Sequence, residues 1–128
     1  MVDLRNPDSS SLATMLAEAR SSGEIEAEKR GCELSTELVW RIDPIPFGER
    51  LVALALEAVS EAGGRDEPLT SGALHDAAEV ARVLPAAMVF VPSIGGISHA
   101  KEEDTSEADL GAGIQAFGAL VNRVLAGA

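Results

Sequence analysis

Tyrosine is absent from this chain, and the other aromatics are few: Trp40, Phe47, Phe90 and Phe117. Any core must therefore be aliphatic, built from Leu, Val, Ile and many Ala. A single cysteine, Cys32, excludes both an intrachain disulfide and a thiolate metal cage. It reads as a small, partly buried residue at the start of a strand. Positive charge is scarce, with 10 Lys and Arg against 21 Asp and Glu and a formal net charge of −11. That balance argues against nucleic acid and anionic membranes as partners, since phosphate binding needs cations. No apolar run approaches the ~20 residues that cross a bilayer. The opening Met1-Val2-Asp3-Leu4-Arg5-Asn6-Pro7 lacks the apolar centre of a signal peptide, so a cytoplasmic location is the default expectation.

What is present suits an ordinary small domain: 128 residues, of which 46% are hydrophobic. No internal repeat or low-complexity segment is visible. The order of patterns reads as β-α-β, a proline break, then α-(β)-α-β-loop-α, which favours an α/β chain. Asn6-Pro7-Asp8 is a turn, and Asp8 or one of Ser9, Ser10 and Ser11 caps a helix from about Ser11 to Arg30. Leu12, Met15, Leu16, Ala19 and Ile25 form its apolar side, Gly23 weakens it, and Gly31 stops it. Strict alternation from Cys32 to Ile42 predicts a half-buried antiparallel strand. Asp43-Pro44-Ile45-Pro46-Phe47-Gly48 ends that strand, because two prolines cannot donate to a ladder. This break is expected to divide the chain into residues 1–43 and 44–128.

Beyond the break, Glu49 to Ala62 predicts a helix with a Leu51, Val52, Ala55, Leu56, Val59 stripe, ended by Gly63-Gly64. A short strand is expected within Glu67–Thr70 and a helix from Asp76 to Leu84. The near-continuous apolar run Ala87–Val91 predicts a strand buried on both faces. A last helix runs from about Thr105 or Ser106 to Leu125, with Glu107 and Asp109 in its first turn.

Chemistry concentrates in two glycine-marked turns that hold both histidines. One is Thr70-Ser71-Gly72-Ala73-Leu74-His75-Asp76-Ala77. The other follows the apolar run as Pro92-Ser93-Ile94-Gly95-Gly96-Ile97-Ser98-His99. Imidazole titrates near neutrality and is the commonest nitrogen ligand for zinc, so both are candidates for a site. In isolation, a loop histidine is more often a plain surface residue. The acids Glu102, Glu103 and Asp104 read as a solvated approach to the last helix, and Asp76 as a helix N-cap or first-turn acid.

Taken in order, Asp3-Leu4-Arg5, Asp43-Pro44-Ile45-Pro46-Phe47, Ser71-Gly72-Ala73-Leu74-His75-Asp76, Phe90-Val91-Pro92-Ser93 and Gly96-Ile97-Ser98-His99 resemble the C-terminal third of the amidase/hydantoinase/carbamoylase family. Its members are N-carbamoyl-L-amino-acid hydrolases, allantoate amidohydrolases and β-ureidopropionases, within the zinc-dependent aminoacylase-type metallopeptidases. The resemblance spans essentially the whole chain. It implies half of an α+β lid and dimerisation domain over residues 1–43. The C-terminal part of an α/β metallohydrolase domain would then occupy residues 44–128. It also implies a homodimer, and zinc or manganese as the metal.

Residue by residue, the resemblance assigns Arg5 to the substrate carboxylate, Leu74 and His75 to substrate binding, and His99 to the metal. A guanidinium offers a carboxylate the planar two-bond geometry that lysine lacks. Leu74 replaces the family's glycine. After Ser98-His99 the chain keeps a glutamate at Glu103 without the family's proline and aromatic. The family's other metal ligands and its catalytic glutamate precede the Asp-x-Arg motif, so no catalytic residue is assigned here. The expected function is that of a C-terminal portion of a metal-dependent hydrolase of linear amides or ureido compounds, inactive alone. Its substrate would be a small carboxylate-bearing carbamoyl or ureido compound. Two alternatives stay open: a split-enzyme subunit that needs a partner chain, and a non-catalytic binding or assembly module.

Overall fold

A computed structural model describes residues 1–127. Its elements are α1 (Ser9–Lys29), α2 (Glu49–Glu61), α3 (Asp76–Ala81), a 3-10 turn at Ile94–Gly96, and α4 (Glu107–Ala126). The chain divides into two compact units. The first comprises Met1–Ile45 with Thr70–Ala73, and the second Pro46–Leu69 with Leu74–Ala128.

In the first unit the start of α1 follows from local hydrogen bonding. Asp8 is the N-cap, and its carboxylate accepts from the Ser11 amide at 2.7 Å and from the Ser10 hydroxyl at 2.6 Å. Asn6 in turn accepts from the Asp8 amide at 2.8 Å, closing an Asx turn ahead of the helix. The two bonds to Asp8, the serine hydroxyl's first, hold its carboxyl at about 2. The far end closes in a Schellman motif. The Cys32 amide reaches Ala27 O at 2.9 Å and the Gly31 amide reaches Glu28 O at 3.1 Å, with Gly31 at φ +63°. Gly23 does not interrupt α1; a Cβ there would lie 2.9 Å from Leu34 Cδ2, so this position faces the returning chain.

The second unit is organised by α2 against α4. Ala55, Ala58 and Leu120 form a buried cluster, with Leu54, Val89, Ala119 and Val124 packed on it. Ala58 is fully buried, and Ala116 on α4 nearly so. Small side chains at these positions bring the two helices close. Arg123 on α4 pairs with Glu57 at 3.7 Å and with Glu61, both on α2. Gly63 (φ +82°) and Gly64 end α2 in a second Schellman motif, through Gly64 N to Val59 O at 2.9 Å and Gly63 N to Ser60 O at 3.0 Å. Ser106 caps α4 by accepting from the Asp109 amide at 3.1 Å, with Glu107 and Asp109 in the first turn.

The four helices lie where periodicity and capping residues point, except that α3 stops at Ala81, short of Leu84. The expected α/β architecture is not formed, because no strand occurs among the described residues. Cys32–Ile42 forms no regular element and is exposed as far as Arg41, and Cys32 is exposed rather than partly buried. Glu67–Thr70 is exposed chain as well. Ala87–Val91 likewise forms no regular element, with Val89 against the α2–α4 cluster and Phe90 exposed, so it is not buried on both faces. Alternation or an apolar run gives a segment a face to bury. A ladder additionally needs a second backbone about 5 Å away, and none of the described residues supplies one. The Ala86 carbonyl accepts instead from the Gly48 amide at 3.1 Å, at the mouth of α2.

Candidate functional site

Asp3 and Arg5 are two residues apart, and their side chains meet. Asp3 Oδ2 accepts from Arg5 Nε at 3.0 Å and from Nη2 at 2.5 Å. Arg5 Nη1 donates to the Gly72 carbonyl at 2.5 Å, tying the first motif to the Ser71-Gly72 turn within the first unit. Hydrogen bonding to Arg5 lowers the Asp3 carboxyl, and the same bond raises Arg5. A guanidinium has five N–H donors. Three are committed here, which leaves one N–H on each Nη nitrogen. That remaining pair suits a planar anion.

The Ser71 hydroxyl accepts from the Ala73 amide at 3.2 Å and donates to the Ala73 carbonyl at 3.1 Å, fixing the turn before Leu74. Leu74 is exposed. His75 is the N-cap of α3, in extended conformation at φ −118°, and Ala78 N donates to its carbonyl at 2.9 Å. Its half-buried ring lies tilted at 60° to Phe90, with centroids 5.6 Å apart. Asp76 is the first residue of α3, where a carboxylate favours the positive helix end.

The His99 loop is closed at its base by the Ile94 amide donating to Asp104 O at 2.8 Å. Inside it, the Ser93 hydroxyl donates to Ile97 O at 2.6 Å. Gly95 and Gly96 take φ of +68° and +69°. His99 is exposed and sits at φ +57°. Its amide donates to Glu103 Oε2 at 2.8 Å.

Arg5 therefore belongs to the first unit, and Leu74, His75 and His99 to the second. Two partners escaped the sequence reading. Asp3 had a signal, its place two residues before Arg5 in Asp3-Leu4-Arg5. Glu103, expected as a solvated acid, holds the His99 amide. Nothing in the sequence announced that Phe90 would meet His75. A stable zinc site needs three or four protein ligands. No three His, Cys, Asp or Glu side chains gather to offer them among the described residues. Nor is any helix there long and apolar enough to cross a membrane.

An apolar groove of about 280 Å³ lies on the second unit between Val89 and Val91 on one side and Leu110, Gly113, Ile114 and Phe117 of α4 on the other. It offers no titratable group.

The sequence model of Peptidase family M20/M25/M40 matches residues 7–123, which include Leu74, His75 and His99 but not Arg5. An allantoate amidohydrolase of Bacillus subtilis is 43% identical over 89 residues, 70% of this chain and 22% of that protein. An N-carbamoyl-L-amino-acid amidohydrolase of Rhizobium meliloti is 37% identical over 105 residues, covering 82% of this chain and 25% of the relative. A ureidoglycolate hydrolase of Arabidopsis thaliana is 30% identical over 115 residues, 89% and 24% of the two chains. The chain thus spans about a quarter of the length of the curated relatives it matches. No solved structure matches.

Proposed function

The chain belongs to Peptidase family M20/M25/M40, and on that footing we propose that it is the C-terminal portion of a hydrolase of N-carbamoyl amino acids, allantoate or related ureido compounds. The observation that carries this reading is its 37% identity, over 82% of its length, to an N-carbamoyl-L-amino-acid amidohydrolase. The allantoate and ureidoglycolate hydrolases point to the same substrate class, a small compound bearing a ureido group. Residues 1–43 are read as part of a lid and dimerisation domain, and residues 44–128 as part of the catalytic domain. In the assembled enzyme segments 32–42 and 87–91 would gain strand partners.

Arg5 is the group that receives the substrate carboxylate. Asp3 and the Gly72 carbonyl hold its guanidinium from two sides, so its remaining pair of N–H groups is presented in a fixed direction. Leu74 and His75 would line the substrate. Phe90 limits the tilt of the His75 ring. His99 is the residue assigned to the metal.

Hydrolases of this family are generally divalent-metal dependent, but the residues described here do not fit an ion by themselves. No chemical step is therefore assigned to this chain. Its contribution is binding and orientation, and positioning without the full constellation leaves hydrolysis undetectable.

The test is complementation. The purified chain is mixed with the upstream segment of a related enzyme and assayed on N-carbamoyl amino acids and allantoate. Hydrolysis should appear only in the mixture, and it should be lost with His99→Ala and with Arg5→Ala. Turnover by the chain alone, or a reconstituted activity indifferent to both substitutions, contradicts the assignment.

A further inference from the structure

His99 is the only described residue other than glycine with a positive φ, at +57°. The left-handed region brings Cβ against the backbone, at a cost of order 1 kcal/mol or more for a residue with a side chain. Such a conformation persists only where the surroundings hold it. The loop shows what holds this one: the His99 amide donates to Glu103 Oε2 at 2.8 Å. Glu103 is itself fixed, through its amide to Ala100 O at 3.0 Å and through the neighbouring Asp104 carbonyl, which accepts from Ile94 at 2.8 Å. Donor and acceptor thus belong to one closed loop, and the charge on the acceptor strengthens the bond.

We infer that Glu103 is a positioning residue for His99, its carboxylate holding the His99 backbone left-handed so that the imidazole leaves the loop in one direction. The inference deepens the functional reading above, and its meaning for a site rests on that reading. The clamp itself is a property of this chain and is tested on it alone.

A left-handed residue brings its amide proton and Hα together, giving a strong intraresidue cross-peak in the NMR spectrum of the labelled full chain. The wild-type chain should show that cross-peak at His99. Glu103→Ala should lose it, and Glu103→Gln should keep it, because the amide oxygen accepts the same bond. In Glu103→Ala, exchange of the Ile94 amide at the loop base should speed up about 5-fold, the size one net hydrogen bond supports. The resonances of Ala55, Ala58 and Leu120 should stay in place, which separates a local clamp from general unfolding. An undiminished cross-peak in Glu103→Ala overturns the inference, and so does failure of Gln to restore it. The functional reading of His99 stands or falls separately, on the complementation assay with His99→Ala.

Discussion

Glu103 and Asp3 are acidic side chains of a strongly acidic protein, yet each is committed to a single neighbour. Asp3 occupies two donors of Arg5, and Glu103 occupies the amide of His99. Lysine at position 5 would keep the charge but not the fork, so Arg5→Lys in the reconstituted enzyme should raise KM with little change in kcat. An equal loss in kcat would place Arg5 in the chemistry rather than in carboxylate binding. Asp8 gives a pH dependence at the same scale. Its carboxyl is drawn from an ordinary 3.8 to about 2 by the Ser10 hydroxyl and Ser11 amide. A carboxylate with a depressed folded value stabilises the folded form above its unfolded value and loses that contribution as pH falls through the folded one. The first turn of α1 should therefore fray as pH drops from about 4 to about 2, read from the Ser11 amide resonance. Asp8→Ala should abolish that titration; if it persists in the variant, another group causes it.

Among the elements, helices were legible and strands were not, for a physical reason. A helix satisfies its own backbone, so Asp8, Ser106, Gly31 and Gly63 suffice to mark its ends locally. A strand is half of a pair, and the alternation of Leu34, Thr36, Leu38 and Trp40 offers a face to bury without recording the neighbour that would cover it. The same locality explains the site. The glycine turns before the two histidines could be read from sequence, whereas the bond from His99 to Glu103 crosses a left-handed turn that no helical or strand periodicity encodes.

Glycines sort the elements experimentally. Gly63 has φ +82° and open space around a built Cβ, so Gly63→Ala should cost about 1–2 kcal/mol through backbone strain alone. Gly118 lies inside α4 with nothing within 4 Å, so Gly118→Ala should stabilise by about 0.5–1 kcal/mol. At Gly113 a Cβ would run into Val91 Cγ1, so the substitution there should push the 86–91 segment off α4. Thermal melts of the three variants check the order; a stabilising Gly113→Ala would mean that Val91 does not rest on this helix.

At the scale of the whole chain two forces oppose each other. α4 turns Ala116, Leu120 and Arg123 toward α2, while Leu110, Ile114, Phe117, Val121 and Leu125 remain exposed at helical spacing on its other side. Beside them runs the 86–91 segment, which has no ladder partner among the described residues. Contiguous apolar surface and backbone outside any helix or ladder both favour association. Against them stands a net charge of −11 on 128 residues, which repels a second copy. The repulsion acts through water and is screened over about 10 Å at 0.1 M salt, whereas burial of apolar area does not weaken with salt. Charge should therefore win at low ionic strength and apolar burial at high. The purified chain should bind a hydrophobic dye strongly in dilute buffer while sedimenting as a small species, and should grow in mass as sodium chloride is raised. Ile114→Lys together with Phe117→Lys, placed at the centre of the exposed stripe, should remove most of the dye signal and blunt the salt response without disturbing the α2–α4 contact. A chain that stays small at every salt concentration and binds no dye would show that this face of α4 carries no drive to associate.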